Sequence, residues 1–233
     1  MARPRYPKHE GPLPPPLPPE TRTVGQLVAE TVRLYGARFF PVLALGLSLA
    51  ALDELALGRS PKEQTIVLWL FTPLITVSYV GACALVAKDR PPPRALLVGL
   101  AVGIAVWLPV PVLLRFVILP AVGWLALLGL AVPAAVIERR GFVDSLRRGL
   151  ELARADFVHA FGSLATLAIV YFLSRTVLLF LLRTQGDNAI RTAGFLADLV
   201  LSPLLFLGAA MLFVDQAARV RSSGASTSTT NPA

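Results

Sequence analysis

Six apolar runs, each about 20 residues long, constrain the fold of this chain more than any other feature. A helix of that length crosses the roughly 30 Å hydrocarbon core of a bilayer. Within that core every backbone amide needs a partner inside the protein, so only helices or a closed barrel can cross. The runs are continuous and lack the alternation of barrel strands. We therefore predict an all-α, polytopic membrane protein with about six transmembrane helices, at 39–57, 65–87, 95–114, 117–137, 157–182 and 192–214.

Composition and charge agree with this prediction. Hydrophobic residues make up 55% of the chain and charged residues 15%, against about 45–50% and about 25% in soluble domains. A net charge of +8 would suggest nucleic acid as the partner of a soluble protein. In a membrane protein the same Lys and Arg residues collect on cytoplasmic loops and meet anionic lipid. We therefore expect membrane lipids with anionic headgroups as partners, and no nucleic acid.

Cysteine and histidine usage points away from a disulfide or metal site. Cys83 is the only cysteine, so no disulfide can form within the chain. The two histidines, His9 and His159, are far apart and lack metal-binding spacing. No cofactor is expected.

Basic residues predict which way the chain crosses the membrane. If six spans separate the loops, sixteen of the 22 Lys and Arg residues fall on one side. Five fall on the other side, and Arg175 lies inside a span. Because Lys and Arg are enriched on the cytoplasmic side, we predict a multi-pass protein of the cell membrane with both termini in the cytoplasm.

The two ends of the chain are predicted to lie outside the membrane domain. Residues 1–22 contain the run PLPPPLPPE, which cannot form a helix because proline lacks a backbone donor. We expect a disordered, Pro-rich cytoplasmic tail there. Residues 219–233 are mostly small and polar and are expected to form a second disordered cytoplasmic tail. The six-span membrane domain then occupies residues 23–218.

Two amphipathic segments precede the first and fifth spans. The first begins at Thr23 and Gln26, which fit a capping box. The second, at 142–156, is here called the elbow. A shift of 118 residues superimposes the apolar positions of one segment on those of the other. We therefore predict two amphipathic interfacial helices within an internal repeat, 23–57 and 141–182. A weaker third copy is predicted to begin at Arg94.

The elbow combines an apolar stripe with a basic cluster. Ion pairs one turn apart contribute only about 0.2–0.5 kcal/mol each, so burial of the stripe at the membrane interface should dominate. The stripe consists of Phe142, Leu146, Leu150, Ala153 and Phe157. The interfacial basic cluster consists of Arg139, Arg140, Arg147, Arg148 and Arg154.

Two stretches resemble a known family. The stretches TVGQLVAETVRLYGARF and PAAVIERRGFVDSLRRGLELARADF look like the membrane domain attached to some bacterial glycerophosphoryl diester phosphodiesterases. The resemblance covers roughly residues 23–214 and implies a stand-alone membrane domain. In that family the phosphodiesterase activity belongs to a separate soluble barrel of a couple of hundred residues, which this sequence does not contain. The resemblance therefore transfers no catalytic residue.

Two charged residues fall inside predicted spans. Arg175 in the fifth span and Asp198 in the sixth both lie roughly 9–10 Å below the outer surface, at 1.5 Å per helical residue. A charge in a span is costly and usually pairs or faces water, so we predict an intramembrane Arg175–Asp198 ion pair. The pair could serve helix packing alone or form a polar site on a permeation or lipid path. Alternatively, one side chain could extend outward to the headgroups.

These observations favour a non-catalytic scaffold or accessory protein of the bacterial inner membrane over an enzyme. The alternative is a small transporter or channel with its polar site near Arg175 and Asp198. Such a protein should show a continuous polar line along several spans, whereas the sequence offers mainly these two residues and scattered hydroxyl groups. A membrane-protein partner or a second copy of the chain is compatible with either interpretation.

Overall fold

The computed structural model describes residues 18–116 and 118–228, with the side chains of 18–115 and 119–222. In this part of the chain all regular structure is helical: a 3-10 turn at Pro19–Thr21 precedes eleven α-helices. The α-helices are α1 Val24–Ala37, α2 Phe39–Leu45, α3 Leu47–Ala56, α4 Pro61–Val86, α5 Pro93–Trp107, α6 Val110–Phe116, α7 Ile118–Leu128, α8 Ala131–Val136, α9 Phe142–Ala155, α10 Phe157–Leu182 and α11 Asp187–Ser228.

Six helical stretches are long and apolar enough to cross a membrane, which confirms the predicted fold class of an all-α, multi-pass membrane protein. Three of them are built from two shorter helices: α2 with α3, α5 with α6, and α7 with α8. Helices α4, α10 and α11 each cover a span alone. The stretches are Phe39–Ala56, Pro61–Val86, Pro93–Arg115, Leu119–Val136, Phe157–Leu182 and Asp187–Ser222.

The spans form three hairpins, so α1, α9 and the loop after α4 lie at one end of the bundle, here called the elbow end. The core lies around α4, α8 and α11. All six residues of α8 are buried, and Leu207, Leu212 and Phe213 of α11 are almost fully enclosed. Helix α10 is the opposite case, since it is buried along only a small part of its length. Its apolar side chains are therefore the ones left to face lipid.

The boundary between the third and fourth spans lies close to its predicted position, since the third span ends at Arg115 and the fourth begins at Leu119. None of the nearby prolines lies between these two residues. Instead Pro109 sits in a break between α5 and α6, while α6 continues to Phe116. The break frees carbonyl groups, and tryptophan indoles from other helices occupy them: Trp69 donates to Leu108 O at 3.0 Å and Trp124 to Val106 O at 2.8 Å. Two carbonyl groups at the break therefore have partners within the protein.

Helices α1 and α9 correspond residue by residue at the predicted offset of 118. Each is 14 residues long, and each is followed after one residue by a span beginning at a phenylalanine. Buried positions also correspond, since Leu27, Thr31 and Tyr35 of α1 map onto Ser145, Gly149 and Ala153 of α9. No separate helix precedes α5 in the described residues around Arg94, so a third interfacial helix is not present there.

The packed side of α9 is only partly the predicted stripe. The buried line runs along Ser145, Gly149, Leu152 and Ala153, whereas Phe142 lies at the exposed edge of the helix. The reason is a close approach to α8: a Cβ at position 149 would lie 2.6 Å from the backbone nitrogen of Ala131. Small residues let the two backbones meet, and the phenylalanine at the edge of the stripe remains outside this contact.

The chain ends differ from the prediction where the structure describes them. The residues 18–22, which were expected to be disordered, include the 3-10 turn and the buried Arg22. At the other end α11 continues to Ser228, so residues 219–228 are helical and not disordered. Arg22 binds the buried Asp215 and Arg219 binds the half-buried Asp156. The composition of the two chain ends does not indicate these contacts. Residues 1–17 and 229–233 lie outside the described part of the chain.

Replacement of Gly46 by alanine should destabilise the protein by roughly 2–3 kcal/mol. Gly46 joins α2 to α3, and a Cβ there would overlap the backbone carbonyl of Leu199 in α11. A backbone atom cannot rotate away, so the first and sixth spans would have to separate. The free energy of unfolding in detergent micelles measures the effect.

Gly162→Ala is the matched control, because nothing lies within 4 Å of a Cβ at this glycine of α10. It should be neutral or slightly stabilising, since alanine is the better helix former. Equal effects at Gly46 and Gly162 would contradict the close approach of α3 and α11.

Candidate functional site

The structure brings Arg175 and Asp198 into direct contact. Arg175 lies on α10 and its Nε donates to Asp198 Oδ1 of α11 at 2.9 Å. Asp198 is fully buried, whereas the Arg175 side chain keeps about a quarter of its surface exposed. Neither side chain extends alone toward the headgroups, because the guanidinium is held by the carboxylate.

Two further residues, which the sequence analysis did not assign to this site, complete the network. Asp53 of α3 pairs with Arg175 through Oδ2 and Nη2. Tyr171, one turn before Arg175 on α10, donates its hydroxyl to Asp198 Oδ1 at 2.5 Å. Asp53 lies near the outer end of the first predicted span, at a depth that suits Arg175, and Tyr171 shares a helix face with that arginine. The depth of Asp53 and the helix face of Tyr171 can both be seen in the sequence, but neither by itself indicates a contact with Arg175 or Asp198.

The network ties together the first, fifth and sixth spans near the end of the bundle opposite the elbow. Nearby, Arg191 of α11 pairs with Glu54 of α3 at a more exposed position. The three charged residues of the inner network and this more exposed pair place acidic groups on α3 and α11 and basic groups on α10 and α11. These ion pairs therefore connect α3, α10 and α11 at this end of the bundle. The residues are Asp53, Glu54, Arg175, Arg191 and Asp198.

One part of the network is incompletely satisfied. Among the described residues, Asp198 Oδ2 is buried and has no hydrogen-bond partner. Ser202, one helical turn further along α11, is also fully buried, and its hydroxyl likewise lacks a partner there. A buried polar atom without a partner usually costs about 1–3 kcal/mol, so these two oxygens are candidates for accepting a further hydrogen bond or a cation.

A second charged network lies at the elbow end. Arg22, just before α1, pairs with Asp215 of α11 at 3.0 Å, and both side chains are at least nine-tenths buried. One turn later Arg219 pairs with Asp156, the residue between α9 and α10, at 3.2 Å. Arg219 also donates to the backbone carbonyl of Arg22 at 2.6 Å. The start of the membrane domain, the elbow and the end of the sixth span are therefore joined by charge.

The predicted basic cluster of the elbow is partly neutralised by Glu138, an acceptor that we did not predict. Arg140 Nε lies 2.5 Å from Glu138 Oε2, and Arg148 Nε lies 3.3 Å from the same oxygen. Arg147 pairs instead with Glu151 at 3.1 Å. Asp144, which lies one turn before Arg147 and Arg148, makes no ion pair in the described residues, and neither do Arg139 and Arg154.

Arg139→Gly should leave stability unchanged or raise it by up to about 1 kcal/mol. Arg139 has φ 58°, a left-handed conformation that glycine adopts without strain. Since Arg139 makes no ion pair with a described residue, its charge contributes little to the fold. The free energy of unfolding should rise or stay level, and a measurable loss would show that the arginine itself is needed.

The comparisons with known proteins add no relative: no family model, curated protein or solved structure matches this chain. The resemblance to the membrane domain of glycerophosphoryl diester phosphodiesterases thus stays a prediction. No group of three or more His, Cys, Asp and Glu side chains in the described residues is placed to hold a metal ion. The geometry of the two charged networks is therefore the basis for a functional interpretation.

Proposed function

We propose that this protein is a non-catalytic scaffold or accessory domain of the bacterial inner membrane, with both termini in the cytoplasm. The observation that carries this proposal is the mutual pairing of the in-span charges. Arg175 contacts Asp53 and Asp198 from two other helices, so its charge links spans. A rigid platform of this kind suits a domain that positions a membrane-protein partner or a second copy of the chain.

The in-span hydroxyl groups support the same role. Thr72, Thr76 and Thr166 each donate to a carbonyl four residues earlier in their own helix, at 2.8–3.1 Å. Ser78 donates to Ser48 at 2.9 Å and links α4 to α3. These hydroxyl groups donate within their own helix or to a neighbouring helix. Few of them are therefore left to form a continuous polar path.

The orientation can be tested with single cysteines, because the natural Cys83 is fully buried. In a Cys83→Ala background, Lys62→Cys should react with a membrane-impermeant maleimide added to intact spheroplasts. Arg90→Cys, on the loop after α4, should react only after the membrane is opened. The reverse pattern would overturn the cytoplasmic placement of the termini.

The scaffold role can be tested by crosslinking in native membranes followed by mass spectrometry of the purified complex. We expect a defined stoichiometric neighbour, or a second copy of the chain, that is retained in the wild type and lost when Arg175→Ala disrupts the network. A chain that remains monomeric and without a stoichiometric neighbour under these conditions would contradict the proposal.

The second candidate function is a small transporter, and one observation favours it. The buried Asp198 Oδ2 and Ser202 Oγ lack partners among the described residues and could accept a proton or a cation. In proteoliposomes with a trapped pH-sensitive dye, a potential-driven proton flux that is abolished by Asp198→Asn would favour transport. A flux equal to that of protein-free vesicles would favour the scaffold.

A further inference from the structure

A groove of about 370 Å³ opens at the elbow end between α1 and the last turn of α4. One wall is cationic and is formed by Arg33, Arg38 and Lys88, with Glu30 as the acidic member. The other wall is apolar and is formed by Leu34, Leu85, Val86 and Met211. The groove thus has charged and apolar walls where a transmembrane span ends.

The cations of this groove are only partly neutralised. Arg33 lies 3.5 Å from Glu30, so these two opposite charges neutralise each other. Arg38 donates one N–H to the carbonyl of Leu85 at 2.7 Å, but it makes no ion pair with any described side chain. Lys88 is exposed and likewise makes none in this part of the chain. Two positive charges therefore remain beside the apolar wall.

The internal offset of 118 residues shows that this charge is specific to the first repeat. Position 38 corresponds to Asp156, and both residues connect an elbow-end helix to a span. In the second repeat Asp156 accepts from Arg219 on the returning helix α11. In the first repeat the returning helix α4 offers Arg38 only the Leu85 carbonyl. Asp156 therefore has a counter-ion within the chain, whereas Arg38 has none among the described residues.

We propose that this groove binds the phosphate of an anionic phospholipid. Arg and Lys side chains donate strong hydrogen bonds to phosphate oxygens, and basic pockets beside membrane helices hold lipid headgroups. Phosphate is common to lipids and to free phosphate esters. The apolar wall decides between them, because Leu34, Leu85 and Met211 can contact acyl chains that a free ester lacks. This site is independent of the proposed scaffold role.

Native mass spectrometry of the full chain, titrated with dioleoyl phosphatidylglycerol in detergent, tests the site. We expect one lipid to be retained more strongly than dioleoyl phosphatidylethanolamine. Lys88→Gln and Arg38→Gln should each weaken retention about fivefold, the effect of one basic residue near an anionic surface. Arg90→Gln is the matched control, since it removes the same charge from the same loop but lies outside the groove; it should change retention by less than twofold.

Three results would overturn the site. Equal losses in Arg90→Gln and Lys88→Gln would mean that the lipid responds only to surface charge. Equal retention of the two lipids would remove the requirement for an anion. Full displacement by millimolar glycerol 3-phosphate would identify a soluble phosphate ester as the ligand. The thermal midpoint of each variant in detergent shows that the chain remains folded, because the tested side chains are exposed.

Discussion

Arg175→Ala should lower the free energy of unfolding by about 3–5 kcal/mol, one of the two largest effects expected in this protein. The substitution leaves Asp198 fully buried and Asp53 facing it without their shared cation. Removing one partner of a buried ion pair costs this much because the other charge stays behind without compensation. Unfolding of the purified protein in mixed micelles with increasing dodecyl sulfate measures the loss.

A double-mutant cycle measures the interaction energy between Arg175 and Asp198 separately from the other contacts of the two side chains. Asp198→Ala should cost less than Arg175→Ala, because Arg175 retains Asp53 as its partner. The double variant should be no less stable than Arg175→Ala alone. Arg191→Ala is the matched control at the exposed Glu54 pair, and it should cost less than about 1 kcal/mol. Additive losses for Arg175 and Asp198 would contradict their coupling.

Arg22→Ala should cost a similar amount, about 3–5 kcal/mol, although Arg22 precedes the first helix of the membrane domain. Its guanidinium lies 3.0 Å from Asp215, which is fully buried on α11. The variant would leave that buried carboxylate without its nearest cation. The same dodecyl sulfate titration measures the effect, and hydrogen exchange should increase along α1.

A second substitution shows that the charge is responsible. Asp215→Asn in the Arg22→Ala background should recover part of the lost stability, since an amide is less costly to bury than a charge. Arg147→Ala serves as the matched control at the same end, because its pair with Glu151 is largely exposed. If Arg22→Ala and Arg147→Ala unfold at the same denaturant concentration, the buried pair contributes nothing.

The spans could be predicted because hydropathy acts locally. A helix crosses the membrane when its apolar residues outweigh the free-energy cost of placing its polar groups in lipid. This balance depends only on consecutive residues, so it can be calculated along the chain. The limits of 157–182 agree with α10 to the residue. Where a span is broken, local patterns are less informative: Pro109 interrupts the third span, but indoles of Trp69 and Trp124 donate to carbonyls at the break and the span continues to Arg115.

The charged partners could be predicted only in part. Arg175 and Asp198 stood out because both are costly inside a run of apolar residues. Asp53 did not stand out, because a carboxylate near the end of a span can extend into the polar headgroup region at little cost in free energy. Arg22 lay in a segment whose proline content indicated disorder, and its partner Asp215 lies 193 residues away. Such distant contacts leave no periodic pattern in the sequence.

The sequence by itself determined the class of protein, the number of spans and the correspondence between the two amphipathic segments. These properties follow from local hydropathy and spacing, which act before any helix meets another. Only the tertiary structure decided that α9 packs through Gly149 and not through Phe142, and that Arg38 lacks the counter-ion that Asp156 has. Those outcomes depend on which backbones can approach closely and which charges then meet, and both are properties of the assembled bundle.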